Sequence, residues 1–497
     1  MVHRCTIERK RYTRVPAADS PRQPPIGESA PLLLQDRATP EPGKSSIQVA
    51  VETPVKPEQV STESPQLIHG FPPGPRMPMT IQSVGFMLRH IPMMRRARAK
   101  YGPMFRIRLH GFPNFVIISD PDLIKQVLTE KPTVLHAGTG SPLGTVLGAN
   151  SLLAIDEDIH LRQRRLLLPP FHGERMQSYS DEFSEIADRV FDTWETGKPM
   201  QTLESMQLIT LRAILQTVFG AHGSQLDELE KRMPEFVDAG QRVVLLRFAQ
   251  RDLGPRSPWR VFMHQKEIAD RLLFGMIDEA RRDPNLGERA DVLALMVQAT
   301  DEDGNPMTDQ EIRDQLLTML VAGHETTAGT LAWAIEQLSR NPEVLTKLTE
   351  SVRAGETEYL GAVFDETLRV RPTVSFAVRS VQVPEYELAG YALPHDTRIA
   401  SAPTLTHDDP NLFENPGEYR PERFLEERPS NYAYIPFGGG VRRCIGAAFA
   451  RMEFMAVMER MLERFDLQPT TEPYEPWGFR SITFAPGNGG IATFTPR

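Results

Sequence analysis

Over most of the chain, apolar residues recur every three to four positions, the spacing of helices that bury one face. Within residues 181–194, for example, Phe183, Ile186, Val190 and Phe191 share a face. The longest such pattern covers residues 308–340: Thr308 and Glu311 form a capping-box start, and Asn341-Pro342 ends it. About 30 residues at 1.5 Å each span roughly 45 Å, the width of a whole domain. In its middle, Ala322-Gly323-His324-Glu325-Thr326-Thr327 places a glycine, an acid and two hydroxyls among apolar residues. Glycine in a helix interior costs about 1 kcal/mol relative to alanine, so something other than helix stability accounts for that segment. Strand signals are few. Residues 104–119 predict two strands around a turn at 111–114, and residues 386–401 a second hairpin-like region with Gly390 and residues 394–396 as turns. The pattern as a whole predicts a mainly α fold with small β-sheets.

The periodicity is missing from residues 1–69, which hold ten prolines and Tyr12 as their one aromatic residue. Such a segment buries too little surface to offset its ordering entropy, so a disordered Pro-rich extension is predicted there. A single folded unit is predicted over residues 70–497. No apolar run approaches the 18–20 residues of a membrane-spanning helix, and no apolar stretch follows the basic N-terminus as a secretory signal requires. These features predict a cytoplasmic protein with no transmembrane anchor. The net charge of −9 argues against nucleic acid as the main partner. The two cysteines, Cys5 and Cys444, exclude a disulfide framework.

Cys444 has distinctive neighbours. Phe437-Gly438-Gly439-Gly440-Val441-Arg442-Arg443-Cys444-Ile445-Gly446 fits the haem-thiolate signature FxxGxRxCxG at all five fixed positions. A chance match in a chain of this length is on the order of one in ten thousand. Glycines let a loop pass close to a flat cofactor. The helix predicted from about residue 445 to 465 presents free amides near the sulfur, which favours thiolate. Arg442 lies two residues from the sulfur, within reach of a haem propionate.

On these residues the chain resembles a cytochrome P450 from about residue 71 to the C-terminus, and it looks most like soluble bacterial members that oxidise fatty acids or terpenoids. The resemblance implies haem b (iron protoporphyrin IX), held between the long central helix and the helix after Cys444, with Cys444 as the axial iron ligand. Phe437 and Gly446 frame that ligand loop. Glu366-Thr367-Leu368-Arg369 is the ExxR motif, and Arg423 of Pro421-Glu422-Arg423-Phe424 joins Glu366 and Arg369 in a structural network. The stretch from Ala322 to Thr327 matches the oxygen-activation motif. There Ala322 and Gly323 border the haem, Gly323 lets the helix distort, Thr326 supplies a hydroxyl and Glu325 relays protons. His160 and Arg164, at i and i+4, stand where the family binds one propionate, although its usual tryptophan is histidine here. Arg379 is implied for the other propionate, and His407 reads as a loop histidine.

The resemblance also implies a monomeric monooxygenase that uses O2 and a lipophilic substrate such as a fatty acid, terpenoid or sterol-like molecule. The pocket is implied around residues 137–151, Val321 and Ala322, residues 374–377, and Thr483-Phe484. No flavin, nicotinamide or iron–sulfur motif is present, so a separate ferredoxin with its reductase is implied as the electron source. Arg162, Arg165, Arg443 and Arg451 are candidates for a basic docking patch. Two other readings keep the haem: a peroxide-dependent or non-oxidative enzyme, and a haem-based sensor.

Overall fold

The computed structural model describes residues 67–497 apart from 172–174, 245–249, 255 and 481. The predicted extension therefore lies outside the described residues except for its last three. Two of those, Ile68 and His69, pair in parallel with Tyr391 and Ala392.

The centre of the fold is the helix Asp309–Arg340, 32 residues long, with both halves of the capping box between Thr308 and Glu311 formed. Helices Thr202–Ala213, Glu358–Val370 and Ala447–Arg464 pack around it, as does the strand Thr483–Pro486. Trp333, Leu331, Ile335 and Leu338 are fully buried in its C-terminal half. A helix this long and this apolar on all sides needs neighbours all round, which is why it occupies the core. The periodic stretch around Phe183 falls in the helix Arg175–Phe191, whose Phe183, Ile186, Val190 and Phe191 are all buried.

Strands Met104–Leu109, Phe112–Ile118, Arg398–Ser401, Ala377–Val381 and Leu135–His136 form, in that order, a five-stranded sheet. The first hairpin turns at His110-Gly111, earlier than predicted, because Leu109 already pairs with Phe112. Gly111 takes the positive φ of 85° that so tight a turn requires. The region predicted as a second hairpin divides. Glu385–Leu388 and Tyr391–Pro394 pair antiparallel, whereas Arg398–Ser401 crosses to lie parallel to Phe112–Ile118.

Among the described residues no helix is long and apolar enough to cross a membrane.

Candidate active site

The cysteine loop is held from both ends. The Cys444 backbone N–H donates to the Phe437 carbonyl at 3.0 Å, closing the loop on itself. Gly438 and Gly440 have φ of 65° and 63°. At Gly440 a Cβ would stand 1.9 Å from the Leu128 carbonyl oxygen, so only glycine lets the loop lie against the end of the helix Pro121–Thr129. The helix that follows is Ala447–Arg464, with Gly446 as its N-cap. Cys444 is enclosed by protein yet retains exposed surface, so the sulfur borders an open space. Burial pushes its thiol up, while the Gly446 N–H, Arg164 and Arg443 pull it down.

Behind the loop, Glu366, Arg369 and Arg423 meet in the core. Arg369 forks onto Glu366 at 2.7 and 2.9 Å, and its remaining donors reach the carbonyls of His407, Pro416 and Glu418. Arg423 Nε lies 3.1 Å from Glu366 and its NH1 donates to the Glu414 carbonyl. His407 is a working part of this network rather than a loop histidine. It is buried, its carbonyl accepts from Arg369, and its Nε2 accepts the Ile435 N–H at 3.0 Å, just ahead of the cysteine loop. Burial lowers its pKa to about 3, so the ring is neutral. Neither of these bonds leaves a mark in the sequence around residue 407.

A second buried cluster lies on the other side of the loop. His160 and Arg164 sit in the helix Glu157–Leu167, Arg379 in the strand Ala377–Val381, and Arg442 in the loop. Arg442, Arg164 and Arg379 all act electrostatically on His160, and burial together with these cations lowers His160 to about 3. Burial first and then Arg442 bring Arg379 down to about 10. One carboxylate, Asp156, offsets Arg442 and Arg379. It accepts from the backbone N–H groups of Ala137, Gly138 and Thr139 as well as from Arg442. The sequence reading missed Asp156, whose one outward sign is its place just before a helix start. Arg442 also donates to the Leu152 carbonyl at 2.9 Å, so its guanidinium ties the loop to residues 152–156. Arg379 donates to the neighbouring Val378 carbonyl, and no hydrogen bond of Arg164 is found among the described residues.

On the central helix, Ala322 is exposed and Val321, Gly323, Glu325 and Thr326 are part-exposed, although the rest of the helix is largely buried. The Thr326 hydroxyl donates to the Ala322 carbonyl at 2.6 Å. Glu325 accepts from Gln207 Nε2 at 2.9 Å and faces Arg480 at 3.6 Å. Burial raises its pKa against the pull of Arg480 and Gln207. The predicted distortion at Gly323 does not occur. The helix runs unbroken there, and a Cβ would stand 2.8 Å from the terminal Cδ1 of Ile214 in the π-helical turn Ile214–Val218. His324 is buried and bonded to Thr210 Oγ1 at 3.1 Å.

Of the predicted pocket segments, three converge. Val374 bridges Thr483, Phe484 N–H donates to Thr373, and Thr373 Oγ1 meets Thr330 of the central helix. Phe376 and Phe484 enclose His90 with Phe86, at ring separations of 4.1 to 5.3 Å. Residues near 151 attach further toward the N-terminus of the central helix, where Ser151 bonds Thr318 at 2.7 Å. The four-arginine docking patch does not stand as predicted. Arg162 pairs with Asp301 and Glu311, Arg165 with Glu302 and Arg451 with Asp365, because neighbouring loops and helices supply acids the sequence order conceals. Arg443 alone of the four has no such partner among the described residues.

The family model described as cytochrome P450 matches residues 72–488. Cytochrome P450 138 of Mycobacterium tuberculosis is 41% identical over 421 residues, covering 84% of this chain and 95% of the relative. Cytochrome P450 135B1 of the same organism is 39% identical over 429 residues, covering 84% and 90%. Two solved structures superpose at 22% identity. Cyanobacterial CYP120A1 with bound retinoic acid has a TM-score of 0.75, covering 86% of this chain and all of that one. The haem domain of cytochrome P450DA has a TM-score of 0.74, covering 87% and 98%. A glycine-built cysteine loop, a core ionic network and a long helix opened at an acid–alcohol pair thus coincide with a match over most of the chain, which belongs to the cytochrome P450 family of haem-thiolate monooxygenases.

Proposed function

We propose that this chain inserts one oxygen atom from O2 into a lipophilic small molecule, a fatty acid, terpenoid or sterol-like compound, with electrons from a separate ferredoxin and its reductase. Glu325 carries the reading. Its carboxyl stands beside an open helix face, burial favours its protonated form, and Gln207 and the part-exposed Arg480 link it toward solvent.

The residues fit a haem. Cys444 offers sulfur to an open space, and Arg164 lies close enough to act on that sulfur. The cluster of Arg164, Arg379 and Arg442 around one acid leaves positive charge that two propionates would balance. Arg164, Arg379 and His160 would hold those carboxylates, while Arg442 adds charge and keeps the loop in place. Cys444 would supply the sulfur that holds the iron, and a coordinating thiol is deprotonated by the metal itself. When bound, the haem supplies the site at which dioxygen is reduced and cleaved.

The chain's own part is proton supply and exclusion of water. Reduction of dioxygen consumes protons, and Glu325 can pass one on and regain it through the Gln207–Arg480 side. The Thr326 hydroxyl must turn away from the Ala322 carbonyl to donate elsewhere, so it is a donor that switches between two acceptors. On this face Val321 and Ala322 are apolar and at least part-exposed, which favours a lipophilic substrate.

The test measures product per reduced ferredoxin with the wild type and two variants, after a lipophilic-compound screen read by the haem spectrum. Glu325→Gln should slow turnover by on the order of a hundredfold. Thr326→Ala should keep the carbon monoxide spectrum but divert electrons to peroxide or water. Fully coupled turnover in Thr326→Ala would remove the proton-delivery assignment.

A further inference from the structure

The first helix of the fold, Met79–Tyr101, turns polar side chains inward at its N-terminal end, beside Phe86, which packs against His90. Buried Gln82 donates to the carbonyls of Pro75 and Met77 and accepts the Arg108 N–H at 3.0 Å, and Ser83 accepts the His110 N–H at 2.9 Å. Both backbone donors belong to the outer strand of the five-stranded sheet and the turn that follows it. The helix thus covers a sheet edge whose N–H groups would otherwise template pairing with another chain.

Edge capping explains the polar inner side but not the apolar outer one. Ile81, Val84 and Leu88 are 54%, 50% and 78% exposed. At 100° per residue they fall within about 60° of one another, opposite Gln82 and Ser83, on the straight part of the helix before its kink at Arg89. Met77 and Met87 are exposed beside them, and Ile68 lies just upstream in the chain. Six of the sixteen large hydrophobics exposed among the described residues thus fall between residues 68 and 88.

The chain segment that carries this stripe has charge of one sign. Between Glu63 and Asp120 the chain has eight Arg and Lys residues and no Asp or Glu, in a protein of net charge −9. Arg95 and Arg98 are neutralised by Asp408 and Asp409. Arg76, Arg89 and Arg96 make no ion pair or hydrogen bond among the described residues.

We propose that this face docks the protein in the plane of an anionic lipid bilayer, with Ile81, Val84 and Leu88 among the acyl chains and the arginines at the headgroups. An exposed apolar stripe bordered by unpaired cations is the pattern that binds such a surface. An apolar protein partner would satisfy the stripe but leave the cations unanswered.

The experiment uses full-length holoprotein and sedimentation with vesicles of phosphatidylcholine alone or mixed with phosphatidylglycerol, alongside gel filtration. The wild type should sediment with the mixed vesicles, less with phosphatidylcholine, and progressively less as salt rises. The triple variant I81Q/V84Q/L88Q should bind roughly tenfold or more weakly while retaining its carbon monoxide spectrum and melting temperature. R76Q/R89Q/R96Q should lose the preference for phosphatidylglycerol and keep the residual apolar binding. Failure of the wild type to bind mixed vesicles overturns the proposal. So does equal binding by I81Q/V84Q/L88Q, or a wild-type dimer that this variant converts to monomer.

Discussion

The fold buries two groups of arginines close to the cysteine loop, and they are built on opposite rules. Around Glu366 the polar groups are largely answered within the chain, and Arg369 places all five of its N–H donors on two carboxylate oxygens and three carbonyls. Around Asp156 two arginines share one acid and a third, Arg164, lies nearby, Arg379 reaches a single carbonyl, and burial with repulsion among these cations lowers both Arg379 and Arg442 to about 10. A self-sufficient cluster locks a core. One short of negative charge is made for an anion that arrives from outside. Buried arginine alone therefore says nothing about role, and the degree to which its donors are already used separates scaffold from binding site.

The sharpest way to break this contrast is to remove one partner from each cluster. Glu366→Gln leaves Arg369 and Arg423 without a buried countercharge, which should cost roughly 3–5 kcal/mol. That is a large part of the 5–15 kcal/mol typical of a domain, so little haem-loaded protein should accumulate, as judged by yield and by the carbon monoxide spectrum. Arg379→Gln should do the reverse. It removes a repelled cation, so the haem-free protein should melt no lower than wild type. The same change should weaken haem retention by about 2 kcal/mol, or roughly thirtyfold, measured as transfer to an acceptor apoprotein. Equal destabilisation of the haem-free protein by both variants would erase the distinction.

A pH experiment sharpens the scaffold side. His407 takes up a proton near its ordinary 6.5 when unfolded but only near 3 in the fold. Below 6.5 the unfolded chain therefore binds more protons, and stability falls as pH drops through that window. His407→Asn should unfold with about one proton less taken up, flattening the acid limb by up to about 1.4 kcal/mol per pH unit. Denaturant titrations from pH 7 to 4 would measure it. The smallest effect belongs to Arg443, which is exposed beside Cys444. Arg443→Glu should slow reduction by ferredoxin a few-fold at low salt, and the difference should fade as salt screens it. An unchanged rate at low ionic strength would remove the docking role.

Much of the catalytic face could be read from the chain alone. The cysteine loop needs fixed spacing, since Gly440 must pass a backbone carbonyl two positions before Arg442 and four before Cys444, and spacing is a covalent property. Thr308 and Glu311 likewise announce the start of the central helix locally. Other features depended on partners distant in sequence. Asp156 gathers N–H groups from residues 137–139 and a guanidinium from residue 442, and no local pattern marks it. His407 looked like an ordinary loop residue because its partners lie 28 and 38 positions away. The docking patch misled for the same reason, since the acids that neutralise Arg162 come from residues 301 and 311. Gly323 was legible as special, but the approach of Ile214 to it was not.

The sequence by itself determined the family, the thiolate loop, the acid–alcohol pair and the mainly helical character. Each of these is carried by residue type at short, fixed separations along the backbone. The tertiary structure alone decided which cations remain unpaired, which histidines are held neutral and which helix turns its apolar side outward. Those properties depend on burial and on charges brought together by folding, because electrostatic and desolvation energies follow distance in space rather than along the chain.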